Sequence, residues 1–257
     1  YAGLAEREAQ EAGDRLGALR AGSLLASCHF LEGRLTRAGE CAAGGLALAA
    51  AMGQRDEEVF LGFLNARVRF LLGDYEGCSV SLQRCRCLAE IYRMSAAEPV
   101  LDAWIARSLV YAGSAAAGAA RLERLEPSRE VLLFRAEAAL FAGELAEASA
   151  SVERGLAAPA ESAFPPPHGG CWRDGFLALE GRCFSLARSG TCLRRQLAAL
   201  HGHLLARRGS AAEAVRELGE LVHGVRPADN DPSLHLYLFL YAGALPEESG
   251  DDDKVTV

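Results

Sequence analysis

One phrase recurs five times along this chain: an apolar run, a glycine, and a small residue five positions later. The copies are LLASCHFLEGRLTRA, FLNARVRFLLGDYEGC, WIARSLVYAGSAAAG, LFRAEAALFAGELAEA and LHGHLLARRGSAAEA, with the glycine at Gly33, Gly73, Gly113, Gly143 and Gly209. Seven residues before each glycine stands Ala26, Ala66, Ala106, Ala136 or Gly202, and five after it stands Ala38, Cys78, Gly118, Ala148 or Ala214. All ten are small. Two antiparallel helices joined by a tight turn approach closely only where the contact residues lack bulk. The glycine supplies the left-handed backbone that ends the first helix. Nine residues after it, Leu82, Leu122, Val152 and Leu218 fall on the core side of an amphipathic second helix, with Ala42 as the exception. The register therefore predicts helical hairpins, each burying its apolar face against its neighbours.

The composition agrees with packed helices. Half of the 257 residues are hydrophobic, only 9 are Pro, and aromatics make up 7%. The formal charge of -7, from 34 acidic against 27 basic residues, argues against bulk attraction to nucleic acid or to an anionic membrane. No apolar run reaches the roughly 20 residues of a membrane span, and residues 1–10 show no basic region followed by an apolar one. A cytoplasmic chain is the expectation. Eight cysteines are too dilute for a disulfide scaffold, and Cys28, Cys41, Cys78, Cys85 and Cys183 fall in apolar helical segments, where they read as reduced, Ala-like core residues.

The hairpin phrase resembles the tetratricopeptide repeat, which has a small residue in mid first helix, Gly before the turn, often an aromatic two later, and Ala early in the second helix. Ala66, Gly73, Tyr75 and Cys78 match it best, and the resemblance covers about residues 17–224. It implies an all-α fold: a right-handed superhelical solenoid of antiparallel hairpins. The glycines lie 40, 40, 30 and 66 residues apart, against a tetratricopeptide period of about 34. The longer spacing is similar to the irregular repeats in regulatory arms of bacterial signalling proteins, and HEAT-like pairs are the alternative architecture.

The expected organisation is tetratricopeptide-like hairpins over 1–158, a Pro/Gly-rich loop over 159–170, further helices over 171–245, and an acidic tail or linker over 246–257. Residues 145–156 form the second helix of the fourth unit. No helix crosses Pro165, Pro166 and Pro167. An additional helix is expected near 172–188. The apolar stretch after Pro232, SLHLYLFLYAGA, is too short to span a membrane and reads as a capping helix or a self-association surface.

Little in the sequence points to chemistry. His201 and His203 sit about 200° apart around a helix and do not converge on one ion, and the same geometry separates Cys85 from Cys87. Cys171, Cys192 and His168 lack the spacing of a zinc knuckle. There is no phosphate loop, dinucleotide fingerprint, nucleophile elbow or metalloprotease histidine pair. The expectation is a chain without catalytic residues, metal or cofactor.

In tetratricopeptide arrays the first helices line a concave groove that takes a peptide or helix. Carried over by register, the positions one after the small residue of each first helix are Ser27, Arg67, Arg107, Glu137 and His203. Phe60, Phe63 and Tyr111 fall at neighbouring groove positions. Arg67 and Arg107 are expected to pair with carboxylates of a protein partner, and Phe60, Phe63 and Tyr111 to supply apolar contacts. The asparagine and lysine pattern of chaperone-tail clamps is absent from these positions. The resulting expectation is a non-catalytic scaffold for protein–protein interaction. The alternative is a regulatory or sensor arm of a larger signalling ATPase, cyclase, kinase or transcription regulator, suggested by a chain that begins without Met.

Overall fold

The computed structural model describes residues 1–95, 97–158, 189–224 and 234–244. Within them the chain is helical and has no strand. Twelve helices follow one another: α1 (Ala2–Glu11), α2 (Arg15–Leu31), α3 (Leu35–Met52), α4 (Arg55–Leu71), α5 (Tyr75–Ile91), α6 (Glu98–Tyr111), α7 (Ala115–Leu122), α8 (Arg129–Phe141), α9 (Leu145–Ala157), α10 (Ser189–Arg207), α11 (Ala211–Gly224) and α12 (Leu234–Ala244). The expected helix at 145–156 is α9, and the apolar stretch after Pro232 contains α12. The Pro/Gly-rich loop at 159–170, the additional helix near 172–188 and the acidic tail lie outside the described residues.

The described helices belong to two compact units, α1–α7 in one and α8–α12 in the other. In the first unit every helix packs on the next, and α2 also reaches α4. In the second, α8 packs on α9, α9 on α10, α10 on α11 and α11 on α12, with α10 also touching α8 and α12. This layering of hairpin on hairpin buries an apolar face that no single hairpin could cover.

The register of small residues is the register of the core. Ala26, Ala66, Ala106, Ala136, Ala38, Cys78, Ala148 and Ala214 are all 0% exposed, and Gly118 and Gly202 are buried with them. Leu82, Leu122, Val152, Leu218 and the exception Ala42 are likewise fully buried. A Cβ added at Gly118 would come within 2.6 Å of the Ala106 carbonyl oxygen, so the small residue after one turn faces the small residue before it. Gly202 instead accommodates Leu218, whose Cγ would lie 2.7 Å from an added Cβ.

The turns carry a finer period than the repeated phrase. Left-handed backbone occurs at Gly13, Gly33, Gly53, Gly73, Arg93 and Gly113, each twenty residues after the last, and again at Gly143 and Gly209. The phrase marks only the turns inside hairpins. Gly13, Gly53 and Arg93 close the intervening ones. At each turn the following residue donates its N–H to a carbonyl five positions back, as Asp74 does to Arg69 at 2.9 Å and Met94 to Ala89 at 2.8 Å, which satisfies carbonyls left open by the helix end. Asp14 and Asp74 then cap α2 and α5 by accepting the Gly17 and Gly77 N–H groups, both at 2.9 Å.

Candidate functional site

The first helices of the hairpins in the first unit are α2, α4 and α6, and the forty-residue register sets equivalent side chains above one another. Phe30 and Phe70 are one such pair, and Arg67 and Arg107 another. The Arg67 guanidinium carbon sits 4.6 Å from the Phe30 ring centre, and that of Arg107 sits 4.9 Å from Phe70. One contact is thus made twice, one repeat apart. Trp104 joins the two, with Arg67 at 5.0 Å and Arg107 at 5.1 Å from its ring centre.

Further rings extend the stack. Phe63 meets Trp104 edge-on at 6.0 Å, and Phe70 meets Trp104 at 5.7 Å. Phe70 also contacts Tyr75 at 5.2 Å and Tyr111 at 5.0 Å, and the two tyrosines lie 5.3 Å apart. Arg67 is 8% exposed and Trp104 5%, so the attraction acts in a largely desolvated setting and contributes about 2 kcal/mol per well-formed contact. Arg107, Tyr75 and Tyr111 are partly exposed.

Of the seven expected groove residues, this stack brings together Arg67, Arg107, Phe63 and Tyr111. Phe60 and Phe63 are 4% and 1% exposed, so in this conformation neither presents surface to an outside partner. Their apolar faces are spent within the fold. Glu137 on α8 is buried at 8%, and His203 on α10 is half-buried; both belong to the second unit. Burial first, and then the Arg207 charge, lowers the His203 pKa below its ordinary value. His201, two residues earlier, turns to Glu217 on α11, with Nδ1 2.7 Å from the carboxylate.

Phe30, Phe70 and Trp104 lie outside the register columns from which the groove residues are read. Their signal is present: two phenylalanines forty residues apart, three positions beyond Ser27 and Arg67, and a tryptophan three before Arg107.

Three charges act together near the start of α5. Burial, and then the Asp74 charge, push the Cys78 thiol up to about 12 against the opposing charges of Arg107, Arg69 and Arg67. Cys85 is pushed up to about 12 as well, again chiefly by burial. Of the cysteines expected in the core, Cys78 and Cys85 are buried and Cys28 and Cys41 only partly so, while Cys183 lies outside the described residues; Cys87, not among them, is exposed. Among the described residues no group of three or more His, Cys, Asp or Glu is placed to hold a metal ion, and no helix is long and apolar enough to cross a membrane.

No protein-family model matches the chain, and no curated protein matches it.

Proposed function

We propose that the chain is a tetratricopeptide-like scaffold for protein–protein interaction, non-catalytic, which holds a peptide or helix of a partner along the first helices of its hairpins. In this reading the hairpins wind as a right-handed superhelix, the tetratricopeptide type is preferred over the HEAT type, and the partner segment is acidic. The observation that carries it is the stack on Trp104. Two guanidinium groups from successive repeats lie on one indole ring, 5.0 and 5.1 Å from its centre. Arg107, partly exposed, is the member of the pair that an acidic side chain of a partner can reach, and the buried Arg67 beside it adds its charge to the attraction. The aromatic rings hold both guanidiniums in place before binding, which reduces the ordering cost of contact. Tyr75 and Tyr111, partly exposed at the end of the stack, supply the aromatic surface that interface anchors favour.

The test is an affinity capture with the intact chain and with Arg67→Glu/Arg107→Glu, compared after circular dichroism has shown both to be folded. Partners held by the intact chain and lost by the double variant support the reading. Partners captured equally by both overturn it.

A further inference from the structure

Away from the aromatic stack, a second polar contact ties the first two hairpins. Glu57, in the first turn of α4, is 8% exposed, and Ser23, on α2, is 2% exposed. The Ser23 Oγ lies 2.7 Å from Glu57 Oε2 and 3.0 Å from the Leu19 carbonyl oxygen. Both neighbours are oxygens, and a hydroxyl owns one proton. If Glu57 is a carboxylate, Ser23 has one proton for two acceptors, so one contact goes without it or the two share it and each is weakened. If Glu57 is a carboxylic acid, its O–H donates to Ser23 and the Ser23 O–H donates to Leu19, so both short contacts are hydrogen bonds.

We propose that Glu57 carries its own proton in the folded chain and acts as a proton-sensitive tie between α2 and α4. Burial is the main influence raising its pKa; Asp56 of its own helix adds to it, while the Ser23 hydroxyl and Arg20 of α2 draw it down. α3, which packs on both helices, carries Arg37 and Glu40, and α5, on the far side of α4, carries Glu76 and Glu90 against Arg84 and Arg86. Within each of these two helices the formal charges cancel. The adjacent Glu58 is held differently: it accepts the Tyr92 hydroxyl at 2.9 Å, a bond in which the carboxyl needs no proton of its own.

The sign of the linkage follows from the raised pKa. Below the ordinary glutamate value of about 4.3 the group is protonated in both the folded and the unfolded chain, and the tie makes its full contribution. As the pH rises, the unfolded chain ionises first, and stability is lost up to the raised pKa of the fold. Two measurements test this. In the intact protein, carboxyl carbon resonances of glutamate, assigned by through-bond correlation, should show Glu57 titrating above the ordinary glutamate value of about 4.3. Denaturation midpoints should fall for the wild type relative to Glu57→Gln as the pH rises from acid to mildly alkaline, because the amide donates to Ser23 without a charge. Titration of Glu57 at or below that value would overturn the proposal, as would an unchanged gap between wild type and Glu57→Gln across the range.

Discussion

Arg93 does with a side chain what glycine does at the other turns of the twenty-residue series. Its φ of 59° is the only left-handed value at a non-glycine residue among the described residues, and that conformation costs an L residue about 1–2 kcal/mol. Arg93→Gly removes the strain but gives back freedom to the unfolded chain, so the variant is expected to be more stable by about 1 kcal/mol, read by chemical denaturation. Gly118 is the opposite case. An added methyl would lie 2.5 Å from the Val110 Cγ2 and 2.6 Å from the Ala106 carbonyl, and backbone cannot step aside as a side-chain tip can. Gly118→Ala is therefore expected to destabilise by about 1–3 kcal/mol through overpacking, measured the same way. Both residues show what a sequence can reveal at this scale. Gly118 was legible because a small residue five after a turn glycine has a geometric duty. Arg93 was not, because nothing in its chemistry advertises a left-handed backbone; only its place in the series 13, 33, 53, 73, 93, 113 does.

At the scale of the element, α5 separates its cysteines by face. Cys78 and Cys85, seven apart, point into the core, while Cys87 is exposed. With both buried thiols pushed up to about 12, almost none of either is thiolate at neutral pH, and neither is accessible. Under native conditions a thiol-alkylating reagent is expected to modify Cys87 in the Cys78–Cys87 stretch at once, and Cys78 and Cys85 only on unfolding, as followed by peptide mass spectrometry. Modification of Cys78 at the rate of Cys87 would contradict this packing. Periodicity revealed the shared face of Cys78 and Cys85. It did not reveal the aromatic stack, because Phe30, Phe70 and Trp104 come from three helices and meet only through the layering of hairpins. The sequence reading sent Phe63 outward to a partner, yet it packs against Trp104 at 6.0 Å. An apolar residue at a groove position can turn either way, and only the ring across from it decides.

At the scale of the molecule, the helical class and the succession of hairpins were readable from composition and from the glycine register. The two compact units were not: the phrase runs on through Gly113 and Gly143, while the division falls between α7 and α8. The interval from Gly113 to Gly143, thirty residues against forty between the earlier phrase glycines, spans this division. In the first unit the even register gives Arg67 and Arg107 equivalent positions, and their function in binding is the central claim. Hydrogen–deuterium exchange on the chain, alone and saturated with a partner captured by the wild type and lost by Arg67→Glu/Arg107→Glu, tests it most directly. Slowed exchange is expected in α4 and α6 around Arg67 and Arg107. Protection confined to other helices, with α4 and α6 unchanged, would contradict it.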